Sequence, residues 1–226
     1  MMEILTLNET DHDAARNQAL LSILKGEIII VAAEHGYLLL CDAFRFGSVS
    51  AIHSLRQDSP GTAAQVLVGK EATLAGIAKD FDASWQSITQ SFWPGMLTIQ
   101  CAPQPGLQWD LGDGNRLGEF AVRIPQAPFL LSLLEKSGPV AVASASFAGS
   151  APVCNVNDIP FILDGVDGGS EISLIIDEGP LPTGLLTTVL RRRTIGAEDG
   201  IELIREGAIP VAELKVVYPD ILISNP

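Results

Sequence analysis

The run Glu27-Ile28-Ile29-Ile30-Val31 leaves a strand no polar side. Alternate side chains of a strand point to opposite faces, so a run apolar at nearly every position suits burial on both. Pro139-Val140-Ala141-Val142-Ala143-Ser144 has the same character. A sheet containing such strands needs cover on two sides, and the intervening stretches supply it. Residues 11–25 read as a helix with Asp11 or Thr10 as cap, an apolar face through Ala15, Ala19 and Ile23, and Gly26 as its stop. Helices are also expected at 47–56 with Ser48 as cap, at 71–80, 84–90, 129–137 and about 155–163. Further strands are expected at 65–68, 96–102, 120–125, 174–177 and 187–190. Strands and helices alternate without a repeat or a linker, which predicts one α/β domain over 1–226 with a largely covered sheet.

Phe92-Trp93-Pro94-Gly95-Met96-Leu97-Thr98 joins a helical run to a strand. The aromatic pair can anchor in a core, Pro94 fixes φ, and Gly95 permits a sharp reversal. Ligands of open α/β sheets collect beyond the strand ends, which singles out the turns at 32–36, 57–62 and 144–149.

Composition narrows the function. Of 226 residues, 47% are hydrophobic, enough for a large core. No apolar run reaches the roughly 18 residues of a membrane span and no basic-then-apolar leader opens the chain, so a cytoplasmic location is expected. The formal charge of −13 disfavours direct nucleic-acid binding. Arg191-Arg192-Arg193, the densest basic cluster, reads as a solvated or acid-paired edge. The three cysteines have no metal-ligand spacing and read as free thiols, and no metal site is expected.

Several short motifs fall in order along the chain. Gly26 to Phe44 carries Tyr37 and Cys41-Asp42-Ala43-Phe44, followed by Phe92–Thr98, Val122-Arg123-Ile124-Pro125, Ser144-Ala145-Ser146-Phe147-Ala148-Gly149, Thr187-Thr188-Val189 and Ile204-Arg205-Glu206-Gly207. Together they resemble the YrdC-like family, the threonylcarbamoyl-AMP synthases, over about residues 12–210. The resemblance implies a twisted, open, mixed sheet flanked by helices around a concave cavity. It also implies ATP, with Mg2+, and L-threonine and bicarbonate as substrates, giving threonylcarbamoyl-AMP and pyrophosphate for tRNA modification. The sequence departs from the family at polar positions. Pro-Thr-Asp-Thr of the substrate turn is Ala32-Ala33-Glu34-His35, a family cation is replaced by Asp58, and the asparagine of Ser-Ala-Asn is Ser146.

The candidate binding residues are Glu34, His35, Tyr37, Arg56, Arg123, Ser144, Ser146 and Thr188. His35 could serve as a base tuned by Glu34. Arg56 is the main surviving partner for an anion, whereas Arg123 could meet an anionic ligand or a structural carboxylate. Thr187 and Thr188 point to opposite sides of a strand, so one of them faces the cavity. His53, within a helix, reads as a surface or helix-edge residue. Three readings follow: a divergent synthase, a non-catalytic member that binds a small ligand or a protein partner, or an RNA-binding role, against which the charge of −13 argues.

Overall fold

The computed structural model describes residues 2–7, 11–114, 116, 118–163, 171–195 and 198–223. In chain order the strands are β1 (Glu3–Thr6), β2 (Ile28–Ala33), β3 (Gly36–Asp42), β4 (Gln65–Leu67), β5 (Leu97–Cys101), β6 (Phe120–Arg123), β7 (Val140–Ser144), β8 (Ile172–Asp177), β9 (Thr188–Ile195), β10 (Glu198–Arg205) and β11 (Leu222–Ile223). The helices are α1 (His12–Lys25), α2 (Phe46–Arg56), α3 (Leu74–Ile77), α4 (Ala83–Phe92), α5 (Pro128–Ser137), α6 (Pro160–Leu163) and α7 (Val211–Val217).

All the strands join one mixed sheet in the order β1-β8-β2-β3-β7-β4-β6-β5-β9-β10-β11. The β2–β3, β3–β7, β4–β7, β5–β6 and β9–β10 pairs are antiparallel and the others parallel. β2 divides the two core clusters. Ile28, Ile30 and Ala32 enter one, and Ile29, Val31 and Ala33 enter the other. On the first face α2 contributes Val49, Ile52 and Leu55, and α4 contributes Trp85 and Ile88. On the second, α1 brings Ala15, Ala19 and Ile23, and α5 brings Phe129, Leu130, Leu133 and Leu134. Each of the larger aliphatic side chains contributes about 1.5–3 kcal/mol through burial.

Local details follow the residue types. Asp11 caps α1 by accepting from the Asp13 N–H, and Gly26 ends the helix at φ 82°. Ser48 does not cap α2, whose N-cap is Arg45; its hydroxyl donates to the Gly26 carbonyl at 2.6 Å. The Trp93–Pro94 peptide is cis. Gly95 is needed for close approach, since a Cβ there would lie 2.6 Å from the Phe92 carbonyl oxygen.

The predicted helix over 71–80 is shorter. A 3-10 turn at Glu71–Thr73 leads into α3, and Ala78 then turns extended to bridge Pro103. The segment at 155–163 is likewise broken into a 3-10 turn (Val156–Asp158) and α6. Pro160 has no N–H to continue the first turn and holds Ile159 extended at φ −70°, ψ 115°. β9 runs through the arginine cluster instead of ending before it, because β10 pairs along it as far as Ile195.

Candidate functional site

A cavity of about 190 Å³ opens where β2 turns into β3. Glu34, His35, Arg123, Ser144, Thr187 and Arg205 give it its polar wall. Leu38, Met96, Leu185 and Leu186 are among its apolar lining, and the two leucines of the 180–187 strap remain 66% and 51% exposed at the rim.

Glu34 and Arg123 meet across this wall. Arg123 Nη1 donates to Glu34 Oε2 at 2.9 Å, and the Gln126 N–H donates to Oε1 at 2.7 Å. Both side chains are nearly enclosed, at 7% and 6% exposure. Burial pushes the Glu34 carboxyl up, but the Arg123 charge and the bond from Gln126 outweigh it and hold the group below its ordinary value. Of the two partners read for Arg123 in the sequence, the carboxylate is in place. Arg123 Nη1 also lies 3.4 Å from the Gly95 carbonyl and from Met96 Sδ, so the Phe92–Thr98 turn supports the cavity wall. Among the described residues its buried Nε has no hydrogen-bond partner.

His35 turns away from Glu34, with Nδ1 3.2 Å from the Pro182 carbonyl oxygen. Its ring lies against Gly184, where a Cβ would come within 2.4 Å. On the opposite side a chain of hydrogen bonds follows the wall. Gln65 Nε2 donates to Thr98 Oγ1 at 3.0 Å, Thr98 Oγ1 donates to Thr187 Oγ1 at 2.9 Å, and Arg205 Nη2 donates to Thr187 Oγ1 at 3.1 Å. Arg205 also grips the Thr187 carbonyl through Nε and Nη2. Among the described residues it has no acidic partner. Its motif was visible in the sequence, yet nothing local marked it as a cavity residue.

Arg56 lies behind the Ser144 side of the cavity. Nη1 donates to the carbonyls of Ser144 and Ser146 at 2.6 and 2.7 Å, and Nε donates to Asp58 Oδ2 at 3.1 Å. The Arg56 carbonyl accepts from the Ala148 N–H, completing a clamp on the 144–148 loop. Asp58 Oδ2 is also 2.8 Å from His53 Nδ1, and His53 Nε2 is 2.8 Å from the Leu111 carbonyl oxygen. His53 is thus part of a largely enclosed network, which its position in a helix did not announce.

The remaining candidates lie outside the lining. Ser146 is buried, with its hydroxyl 2.9 Å from that of Ser144. Tyr37 is fully enclosed, its hydroxyl within 3.0 Å of Asp177 Oδ1 and 2.7 Å of the Gly179 carbonyl. Burial and the neighbouring Asp177 raise its pKa. Thr188 donates to the Ile209 carbonyl at 2.7 Å and accepts from the N–H groups of Gly207 and Ile209. Its neighbour Thr187 is the one that lines the cavity.

Comparisons with known proteins agree with this architecture. A Sua5/YciO/YrdC family model described as "Telomere recombination" matches residues 22–207. The chain belongs to the Sua5/YciO/YrdC family. A putative threonylcarbamoyl-AMP synthase of Mycobacterium tuberculosis is 30% identical over 159 residues, which is 70% of each chain. The crystal structure of P. abyssi Sua5 complexed with L-threonine matches with a TM-score of 0.82 at 23% identity, covering 99% of this chain and 62% of that one. E. coli YciO matches at 0.76 and 22% identity, covering 95% and 98%. At such identities the two structural likenesses concern the fold. The chain therefore spans less than two thirds of the P. abyssi protein. It resembles threonylcarbamoyl-AMP synthases, with the substitutions named above.

Proposed function

We propose that this chain carries an attenuated threonylcarbamoyl-AMP synthase activity, with ATP, L-threonine and bicarbonate as substrates and tRNA threonylcarbamoyladenosine as the eventual product. The observation that carries the proposal is the convergence of Arg123, Ser144, Thr187 and Arg205 on one cavity beside the β2–β3 turn. In this chemistry the threonine amine takes up bicarbonate with loss of water to give a carbamate. A carbamate oxygen then attacks the α-phosphorus as the bond to the β-phosphate oxygen breaks, and pyrophosphate leaves. Positioning and charge stabilisation carry such a reaction. Arg205 is the cation for an anionic group, and Ser144 and Thr187 present hydroxyls along the same wall. Among the described residues no cluster of three metal-ligating side chains exists, and Glu34 is already held by Arg123 and Gln126. Magnesium enters this reading only as the counter-ion of ATP. A cytoplasmic location belongs to it, since the free cysteines suit a reducing compartment.

Charge explains the attenuation. Arg123 and Arg205 against Glu34 leave the lining a formal +1, little for a triphosphate. The same pairing favours a second reading, a non-catalytic module that keeps a small-ligand site. The two are separated by calorimetric titration with Mg-ATP, L-threonine and bicarbonate, run beside an assay of released pyrophosphate. Pyrophosphate release that depends on threonine is the expected result. Ligand heat without pyrophosphate would leave the non-catalytic module.

A further inference from the structure

Two donors converge on one oxygen atom next to the candidate cavity. His53 Nδ1 approaches Asp58 Oδ2 at 2.8 Å and Arg56 Nε reaches the same atom at 3.1 Å. This is the arrangement expected of an anion site, here filled by a carboxylate of the chain itself. His53 Nε2 also faces an acceptor, the Leu111 carbonyl oxygen at 2.8 Å, so the ring is held at both ends. Asp58 is firmly seated: its side chain is 6% exposed, beside 14% for His53 and 13% for Arg56.

Arg56 stands between two concavities. On one side its Nη1 holds the carbonyl of Ser144, which lines the candidate cavity. On the other, Asp58 and His53 line a cleft of about 250 Å³ with Ser59–Thr62 and Asp110. The guanidinium is therefore near enough to influence an anion in the cavity, while its charge is offset by a carboxylate that cannot diffuse away.

We propose that Asp58 is a specificity-determining residue of this site: a built-in counter-anion that holds Arg56 and His53 and so disfavours a polyphosphate chain against a single phosphate group. The inference rests on the synthase reading and assigns to Asp58 the weak use of ATP within it. Asp58 is a positioning residue that acts through Arg56.

The test compares the wild-type protein with Asp58→Asn and Asp58→Glu by calorimetric titration with Mg-ATP, AMP and L-threonine, with thermal melting as the check on folding. Asparagine keeps the shape and removes the charge, so the preference for ATP over AMP should rise by about tenfold, and glutamate should return it toward wild type. A purely structural role would shift the melt and leave that ratio in place. Should Asp58→Asn fail to fold because His53 and Arg56 lose their shared carboxylate, His53→Gln/Asp58→Asn gives the new amide a neutral partner and keeps Arg56 free. An unchanged or lower ATP-to-AMP ratio in folded protein overturns the role of Asp58 while L-threonine heat keeps the synthase reading standing. Absence of heat with both ATP and L-threonine overturns both.

Discussion

Glu34 shows how a single side chain can be drawn from substrate to scaffold. In the sequence it stands in a turn beyond a strand end, where a ligand-binding group is expected, and in the folded chain it neutralises Arg123. Glu34→Gln leaves that guanidinium enclosed and uncompensated, so urea unfolding at pH 7 should show a loss of about 3 kcal/mol. The pH dependence has a definite sign. The folded-state pKa of Glu34 lies below the ordinary 4.5, so its contribution is complete above that value and is lost as pH falls through the lower, folded-state one. The gap between wild type and variant should therefore hold from neutral pH down to about 5 and close in stronger acid. The cysteines make a second case. Burial pushes the Cys41 and Cys101 thiols up to about 12, with Asp42 adding to the first and Glu119 to the second. Both are buried, whereas Cys154 is part exposed, so an aqueous disulfide reagent at mildly alkaline pH should label Cys154 first. Simultaneous labelling of all three would contradict this packing.

The β9–β10 pair accounts for the arginine cluster. Arg191 Nε and Arg193 Nη1 donate to the two oxygens of Glu202 at 2.8 and 2.7 Å, and Glu202 is 2% exposed. Arg192, on the other side of β9, pairs with Asp82 at 2.7 Å and lies over the Trp85 ring. Of the solvated or acid-paired edge expected from the sequence, the acid pairing forms, but β9 lies inside the sheet between β5 and β10. Glu202→Ala should cost about 2 kcal/mol in thermal or urea unfolding, a figure reduced for the partly exposed arginines. A change below a few tenths would show that the pair adds nothing to the hairpin. The strap before β9 bears on the site instead. Gly184→Ala puts a methyl where the His35 ring lies, so ring or strap must shift. Calorimetry should then show ligand affinity reduced several-fold, with a melting temperature near that of wild type.

At the scale of the molecule, the charge of −13 and the pairing of the three arginines with Asp82 and Glu202, which leaves them a formal +1, argue against binding of a nucleic-acid backbone at β9. Unmodified tRNA should not be retained in a mobility-shift assay at about 0.15 M salt; micromolar retention would overturn that expectation. Among the described residues no helix is long and apolar enough to cross a membrane. The sequence by itself determined the doubly covered sheet. A run such as Ile28–Val31 has no side that tolerates water, and the caps and stops around α1 are written in Asp11 and Gly26. It also determined the family, because its motifs keep their order and spacing. It did not determine which polar side chain meets which. Glu34 and Arg123 are separated by 89 positions, and Arg56 and Ser144 by 88. Nor could it foresee that Ala78 would leave a helix to bridge Pro103, or that β10 would extend β9, since both are long-range pairings with no local signal. Burial on a strand is dictated by a few adjacent residues, whereas an ion pair depends on where distant turns come to rest. Only the tertiary structure therefore decided that the conspicuous charges of the site, Glu34, Arg56, Asp58 and Arg123, would be spent first on one another.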